Sequence, residues 1–224
     1  MSGVRGLRVL YGGTFDPVHE GHMAIARCAR DALATDIALM PAADPPHRPP
    51  TGASAADRAA MLQLALQGET GLHADLRELA RDGRSWSIDT LRDLRDEIGA
   101  EVPVALLLGA DSFAGLPTWK EWHALFALTH FVVASRAGTP LAGELPPSLA
   151  AEVDARVVDS AEALRNLPAG RVFYLQQPLH PHSATDIRAR IAGGRPWRHL
   201  VPEAVAAYIL AHRLYGAGTG IIGP

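Results

Sequence analysis

Short apolar runs alternate with amphipathic segments along most of the chain. The runs at 7–11 and 36–40 are bounded by polar residues or glycine, and the run at 102–108 is the most apolar of all. Runs of this length without polar alternation are typical of strands buried on both faces, so we predict three strands, with 102–108 at the centre of the sheet. Between the first two runs, apolar residues recur every three to four positions, which predicts a helix over 21–34.

The same pattern continues through the rest of the chain. Further strands are predicted at 72–76, 130–134 and 172–175, and further helices at 54–67, 87–99, 119–128, 185–192 and 202–212. Strands that alternate with helices at this spacing form βαβ units. We therefore predict an α/β fold of the Rossmann-like, doubly wound type, with a mostly parallel sheet and helices on both faces. Residues 1–215 form one domain in this prediction, and the glycine-rich residues 216–224 form a disordered tail.

Two connections are rich in proline or glycine. Residues 41–52 contain five prolines, which forbid regular structure, and residues 136–147 contain glycine and proline as well. A long irregular connection after a strand usually serves function. We therefore expect the segment 41–52 to take part in a binding site.

Composition and cysteine content narrow the class of protein. The chain has 224 residues, 48% of them hydrophobic and 20% charged, as in an ordinary soluble globular protein. It contains no apolar stretch of about 18 residues and no export pattern at its N-terminus, so we expect a cytoplasmic protein without a membrane partner. Cys28 is the only cysteine, which excludes an internal disulfide framework and a multi-cysteine metal site.

The charge balance indicates which kinds of partner the chain can bind. The net charge is −3, from 24 acidic and 21 basic residues, and this argues against a nucleic acid partner, which normally needs a basic face. Lys120 is the only lysine. Contacts to a phosphate must therefore come from arginine, histidine or the backbone. Assembly into a homo-oligomer is left open by the sequence.

The sequence GGTFDPVHEGH, at 12–22, lies between the first strand and the first helix. Its glycines let the backbone approach a ligand, and the helix that follows offers unpaired amides and a positive dipole end to an anion. It matches neither the dinucleotide fingerprint nor the P-loop. His19 and His22 lie three residues apart on one face, where both can donate to one oxyanion. Binding of a metal by the two rings and simple capping of the helix are the alternatives.

A second polar motif, HSATDIR, lies at 182–188. Ser183 and Thr185 are good N-cap residues, and Asp186 suits the first turn of the helix that they would start. Arg188 follows in that turn. By itself this motif is weak, because a solvated arginine on a capped helix is common.

Taken together, GGTFDPVHEGH and SATDIR resemble the nucleotidyltransferase superfamily that carries a His-x-Gly-His motif and a distal Ser-x-Thr-x-x-Arg motif. The segments PPHR at 45–48, SWSIDTL at 85–91, LLGADSFAGLPTWKEW at 107–122 and HLVPEAVAAYILAHRLY at 199–215 resemble the bacterial nicotinate mononucleotide adenylyltransferases. Arg48 stands where many members carry lysine, and Ala184 stands where many carry serine. Arginine keeps the charge at position 48 but changes its geometry.

The resemblance implies that the chain joins ATP and nicotinate mononucleotide, giving deamido-NAD and pyrophosphate, with Mg²⁺ carried on the triphosphate and no metal cage made by the protein. The residues expected to act in catalysis are His19, His22 and Arg188. Those expected to bind ATP are Gly12, Gly13, Thr14, Phe15, Gly21, Gly109, Asp111, Ser183 and Thr185. Those expected to bind the mononucleotide are Asp16, His47, Arg48, Ser87, Trp119 and Lys120.

Several alternatives stay open. Nicotinamide mononucleotide or a related phosphate could be the acceptor, and a non-catalytic nucleotide-binding module would keep the same phosphate cradle. An RNA-binding synthetase has a related cradle but needs a lysine-bearing second motif. Trp119 could be a packing aromatic, and Asp111 could simply cap the helix that follows it.

Overall fold

The computed structural model describes residues 6–43, 52–81, 86–136, 145–177 and 183–217. Seven strands form one parallel sheet in the order β3-β2-β1-β4-β5-β7-β6. The strands are β1 (Arg8–Gly13), β2 (Ile37–Pro41), β3 (Leu72–Ala74), β4 (Val104–Gly109), β5 (His130–Arg136), β6 (Val157–Val158) and β7 (Val172–Gln177). The mostly parallel sheet that the sequence predicts is therefore confirmed, and within the described residues every strand pairing is parallel.

Eight α-helices accompany the sheet in the described part of the chain. They are α1 (Glu20–Leu33), α2 (Ala55–Ala65), α3 (Ser87–Ile98), α4 (Ala110–Ala114), α5 (Trp122–Leu128), α6 (Pro147–Val153), α7 (Ala184–Ala192) and α8 (Glu203–Ala211). None of the helices in these ranges is long and apolar enough to cross a membrane.

The most apolar run lies in the middle strand of the sheet, as predicted. In β4 the five residues from Val104 to Leu108 are all buried, with β1 on one side and β5 on the other. A central parallel strand has helices over both faces, so both sets of its side chains leave water. This is why the run shows no alternation with polar residues.

Helices cover both faces of the sheet and form two separate cores. One core includes Met23 of α1, Leu62 of α2 and Val205 of α8. The other includes Leu91 of α3 and Phe113 of α4, together with residues of α5 and α6. The two-faced, doubly wound arrangement is therefore confirmed.

The strand order reverses between β1 and β4. From β1 the chain builds outward to β2 and β3, and it then crosses through α3 to β4 on the other side of β1. The register aligns Arg8 with Val104 and Tyr11 with Leu107, so the carboxyl ends of β1 and β4 lie side by side. In doubly wound sheets a ligand binds outside the carboxyl ends at such a switch point. The segment GGTFD, at 12–16, lies at the carboxyl end of β1, and the segment GAD, at 109–111, lies at the carboxyl end of β4.

One helix boundary and several short elements differ from the sequence prediction. The fifth helix begins at Trp122 and not at Trp119, because Glu121 takes a left-handed conformation (φ 52°) and a 3-10 turn occupies Leu116–Thr118. The sequence missed α4, α6 and β6, and β6 has only two residues, too few to show a period. The strand predicted at 172–175 is therefore the seventh. Most of the predicted loop 136–147 lies outside the described residues.

The chain stays packed beyond the predicted domain boundary. A 3-10 turn covers Leu214–Gly216, and Ala217 is buried against the core that includes α8. The first two residues assigned to the tail thus lie in the packed part of the molecule. Residues 218–224 lie outside the described ranges.

His130, at the start of β5, is a buried histidine held in its neutral form. Its Nδ1 accepts a hydrogen bond from the Arg171 amide at 2.9 Å, and its Nε2 donates to the Leu167 carbonyl at 2.9 Å. An amide can only donate and a carbonyl can only accept, so the ring carries one proton, on Nε2. Burial lowers the pKa of His130.

The pH dependence of stability tests this description. A histidine in the unfolded chain takes up a proton near pH 6.5, whereas folded His130 resists protonation, so the free energy of unfolding falls as pH drops below that value. In urea unfolding, we expect His130→Gln to lower the free energy of unfolding at pH 7.5. We also expect the decrease of this free energy between pH 7.5 and 5.5 to be smaller than in the wild type. The exposed His199→Gln is the control and should keep the wild-type slope. Equal slopes for all three proteins would contradict the assignment.

Candidate active site

The loop that connects β1 to α1, residues 14–19, is folded tightly at the switch point and is named here the cradle loop. Phe15 is buried in a left-handed conformation (φ 48°), and its ring folds back over Gly13. A Cβ on Gly13 would lie only 3.0 Å from that ring. Gly13 is therefore needed to seat Phe15, a reason that the sequence did not reveal. Space around Gly109 at the end of β4 is open, with no atom within 4 Å of a Cβ built there.

His19 and His22 cap the first helix. His19 is the N-cap residue, its side chain accepts from the His22 amide, and Nδ1 of His22 accepts from the His19 amide at 3.3 Å. This reciprocal pair has the form of a capping box in which two histidines replace the usual serine and glutamate. The capping alternative from the sequence is thus observed.

Capping sets the orientation of the two rings at the start of α1. A neutral imidazole that accepts through one nitrogen carries its proton on the other, so His22 carries its proton on Nε2. The two rings stack with their centroids 3.7 Å apart, and Phe15 packs edge-on against His22 at 4.9 Å. The ring positions and the tautomer of His22 are therefore set by the protein, beside the positive end of the α1 dipole.

The distal motif reaches the cradle loop. Nη1 of Arg188, on α7, donates to the main-chain carbonyl of Asp16 at 2.7 Å, across 172 residues of sequence. Its Nη2 donates to Oγ1 of Thr185 at 3.3 Å, and Ser183 caps the helix by accepting from the Asp186 amide at 3.2 Å. Arg188 therefore contacts the cradle loop, in contrast to the solvated arginine that is common on capped helices. Of the two predicted capping hydroxyls, Ser183 caps the helix and Thr185 contacts Arg188.

The Asp16 carboxylate is turned into the protein, and its expected contact with the mononucleotide stays a prediction. Asp16 is 3% exposed. Its oxygens accept from the Gly52 amide at 2.7 Å, the Ala53 amide at 3.1 Å and the Tyr215 hydroxyl at 2.7 Å. Nη1 of Arg188 lies 3.5 Å from Oδ2. Because protein groups engage both oxygens, Asp16 is a structural part of the site.

Sequence reasoning missed Arg58, which is fully buried on α2. Its Nη1 donates to the carbonyls of Thr14 at 2.8 Å and Ala42 at 2.6 Å, and its Nη2 donates to the Ala43 carbonyl at 2.8 Å. Arg58 therefore joins the cradle loop to the connection that leaves β2. One signal could have revealed it, because Arg58 continues the buried face of α2 at helical spacing. The other buried residues of that face are Met61, Leu62 and Ala65.

Arg58 and Asp16 hold the two ends of the proline-rich connection. Arg58 binds the carbonyls of the residues before it, at 42–43, and Asp16 binds the amides of the residues after it, at 52–53. His47 and Arg48, expected to contact the mononucleotide, lie outside the described residues. The described ends place the start and the finish of this connection beside the cradle loop.

The residues expected around the nicotinate ring lie together at the start of α3. Ser87 is the first residue of that helix, and Nζ of Lys120 lies 5.9 Å from the ring centroid of the neighbouring Trp86. Lys120 is also paired with the Asp89 carboxylate at 3.1 Å. Trp119 is partly buried against the core that includes α3 and α4. The packing expected as its alternative is therefore present.

Asp111 follows the carboxyl end of β4 and is exposed. It lies in the first turn of α4, whose N-cap is Gly109. Across the described ranges, no three histidine, cysteine, aspartate or glutamate side chains come together as a metal site.

Comparison with known proteins places the chain in a family. The chain matches the family model described as cytidylyltransferase-like over residues 10–190. A relative from Stenotrophomonas maltophilia, named "probable nicotinate-nucleotide adenylyltransferase", is 52% identical over 95% of this chain and 98% of its own length. A relative of the same name from Xylella fastidiosa is 50% identical over 94% of this chain and 96% of its own.

Solved structures share the fold. The nicotinic acid mononucleotide adenylyltransferase of Plasmodium falciparum, in a complex with NaAD, superposes with a TM-score of 0.70 at 14% identity, covering 95% of this chain and 98% of that one. The same protein in a complex with APC gives a TM-score of 0.69 over 96% and 99% of the two chains. At this identity the likeness concerns the fold.

The role of Arg58 can be tested through stability. Replacing this buried side chain with methionine leaves three carbonyls without their donor, so we expect Arg58→Met to lower the free energy of unfolding by about 3 kcal/mol. Arg58→Lys should recover only part of this loss, because a point-like ammonium cannot serve the carbonyls as a planar fork does. Urea unfolding measures the loss of stability in both variants. Arg92→Met, which removes exposed pairs with Asp89 and Glu121, is the control and should cost about 0.5 kcal/mol or less. A loss for Arg58→Met as small as the control would refute the role.

Proposed function

The chain belongs to the nicotinate-nucleotide adenylyltransferases of the cytidylyltransferase-like family, and from this premise we propose that it transfers the adenylyl group of ATP to nicotinate mononucleotide. The products are nicotinate adenine dinucleotide and pyrophosphate, a step of NAD biosynthesis. One observation carries the proposal. The two motifs expected to bind a triphosphate meet on the cradle loop, where Arg188 docks on Asp16. ATP as the donor agrees with the cytoplasmic location that the sequence predicts.

The reaction needs placement and charge neutralisation more than it needs a protein nucleophile. An oxygen of the mononucleotide phosphate attacks the α-phosphorus of ATP, the bond from that phosphorus to the bridging oxygen breaks, and pyrophosphate leaves with the electron pair. A phosphate monoester loses its second proton near pH ~6, so the attacking group is already an anion at neutral pH. In-line alignment and stabilisation of charge on the phosphates are then what the protein supplies.

His19 and His22 contact the ATP phosphates in this proposal. Nε2–H of His22 is the donor for the α-phosphate oxygens, since the cap fixes its proton on that nitrogen. The amides at the start of α1, whose first turn includes Gly21, face the same anion. Thr14 and the amide of Phe15 complete the cradle, with Gly12 and Gly13 as the backbone that leads into it.

Arg188, with Ser183 and Thr185, holds the β- and γ-phosphates. Docking of one guanidinium nitrogen on the Asp16 carbonyl places the cation beside the cradle loop. Arginine suits this role because its donors form a rigid fork that matches phosphate oxygens. The proposal thus gives the two motifs different phosphates of one triphosphate.

Nucleotidyltransferases generally use a divalent metal with the nucleotide, and we propose Mg²⁺. The residues present fit such an ion, since Mg²⁺ is usually bound by one or two carboxylates together with substrate phosphates. Asp111, exposed beside the open space at Gly109, is the carboxylate that would contact it or the ribose. When bound, the ion neutralises charge on the triphosphate.

The acceptor lies over the start of α3. Trp119 stacks on the nicotinate ring, Ser87 and Lys120 meet its carboxylate, and His47 and Arg48 contact its phosphate. Lys120 is already paired with Asp89, so the nicotinate carboxylate must compete with that aspartate. This pairing makes nicotinamide mononucleotide, which lacks the carboxylate, the second acceptor to consider.

Pyrophosphate release tests the proposed function. The full chain is incubated with ATP, Mg²⁺ and either nicotinate or nicotinamide mononucleotide. We expect turnover with nicotinate mononucleotide and a lower kcat/KM with the nicotinamide compound. Faster turnover with nicotinamide mononucleotide would reverse the acceptor preference, and no release with either would overturn the function.

The double role of His22 gives a sharper prediction. His22→Ala should lower turnover about 100- to 1000-fold, because the donor to the α-phosphate is lost. It should cost about 1–2 kcal/mol of stability, since the capping contact and the packing of the ring against His19 and Phe15 are removed. His22→Glu restores the acceptor of a standard capping box but places a negative charge beside the phosphates, so part of the stability should return while turnover stays low. Steady-state rates and thermal unfolding measure both effects. Turnover near wild type in either variant would contradict the role of His22.

A further inference from the structure

The last described turn of the chain returns to the cradle loop. Tyr215, in the 3-10 turn Leu214–Gly216, donates its hydroxyl to Oδ1 of Asp16 at 2.7 Å. This contact spans 199 residues of sequence. Burial and the Asp16 carboxylate raise the pKa of Tyr215, so the hydroxyl keeps its proton and remains a donor.

The Tyr215 ring and Arg188 lie side by side over Gly52. A Cβ built on Gly52 would come within 3.0 Å of the tyrosine ring and 3.1 Å of Cδ of Arg188. The glycine leaves just enough room for both side chains. The position of the Arg188 stem is therefore coupled to the position of Tyr215 by packing as well as through Asp16.

The hydroxyl also affects how strongly Asp16 attracts Arg188. Oδ2 accepts from the Gly52 amide and Oδ1 from the Ala53 amide and Tyr215, while Nη1 of Arg188 stands 3.5 Å from Oδ2. Neutral donors that hydrogen-bond with a buried carboxylate weaken its attraction for a nearby cation. Without the tyrosine hydroxyl, Oδ1 keeps one donor, and the guanidinium is drawn toward Asp16 and away from a phosphate.

We propose that Tyr215 is a positioning residue of the triphosphate half of the site, acting through Asp16 and Arg188. The inference rests on the proposed function, because it assigns Arg188 to the triphosphate. It makes the 3-10 turn Leu214–Gly216, called here the C-terminal turn, a functional part of the ATP site. Tyr215 touches no substrate in this proposal.

The chain offers a matched control for this role. Tyr208, on α8, donates its hydroxyl to the Asp57 carboxylate at 3.0 Å, so it too makes a tyrosine-to-aspartate hydrogen bond. Asp57 also hydrogen-bonds with Ser54 at the start of α2. Tyr208→Phe and Tyr215→Phe thus remove the same kind of bond, and only Tyr215→Phe removes it from the Asp16 carboxylate that faces Arg188.

Binding of Mg²⁺–ATP in the absence of acceptor is measured by calorimetry, and KM for each substrate is measured in the pyrophosphate assay. We expect Tyr215→Phe to raise the Kd and KM for ATP about 10-fold, the effect of losing one hydrogen bond to a charged group. The KM for the mononucleotide should change less than about 2-fold. Tyr208→Phe should leave both constants within that range. Equal effects on both substrates, or equal effects of the two tyrosine variants, would show a general structural role and overturn the proposal.

A double-variant cycle tests whether Tyr215 acts through Arg188. Arg188→Ala should raise the Kd for ATP, and adding Tyr215→Phe should then have little further effect, about 2-fold or less, because the positioned group is gone. Additive losses in the double variant would overturn the proposal. Gly52→Ala keeps the hydroxyl but crowds both side chains, so it should also raise the Kd for ATP; an unchanged Kd would count against the coupling by packing.

The outcomes separate this inference from the proposed function. Wild-type chain that binds ATP but releases no pyrophosphate with either mononucleotide would overturn the proposed function, while the calorimetric comparison would still decide the role of Tyr215. Normal turnover in the wild type with an unchanged ATP constant in Tyr215→Phe would overturn the role of Tyr215 alone.

Discussion

The buried carboxylate of Asp16 is the group on which the geometry of the site depends. It gathers the amides that follow the proline-rich connection and the hydroxyl of Tyr215 from the C-terminal turn, and Arg188 from α7 lies beside it. A buried charge is costly unless hydrogen bonds compensate it, so the contacts with these segments stabilise the folded arrangement of the site. One carboxylate therefore brings together parts of the chain that are almost 200 residues apart in sequence.

Arg58 has the complementary role on the other side of the cradle loop. It is a buried cation that donates to carbonyls of Thr14, Ala42 and Ala43, whereas Asp16 is a buried anion that accepts from amides and a hydroxyl. The two charges hold the cradle loop and the described ends of the connection after β2 in place before any ligand binds. A site whose donors are held in place spends less binding free energy on ordering them, and this is what charge stabilisation in phosphoryl transfer requires.

The sheet could be predicted from the sequence because the residue patterns of its strands and helices are local. Strands buried on both faces need continuous apolar runs, and amphipathic helices need a period near 3.6, so β4 and α1 are visible in the pattern of residues. Short or irregular pieces carry no such pattern. The two residues of β6 are too few for a period, and the start of α5 depends on the left-handed backbone of Glu121. These features are set by packing against distant segments.

By itself, the sequence determined the fold class and the two motifs of the site, because each depends on neighbouring residues or on topology rules. Only the tertiary structure decided what the charged groups do. Asp16 turns inward, Arg58 is buried behind the cradle loop, and Lys120 is paired with Asp89. The charge of a side chain can be read from sequence, but its partner cannot, since the partner lies wherever folding brings another segment within hydrogen-bonding distance.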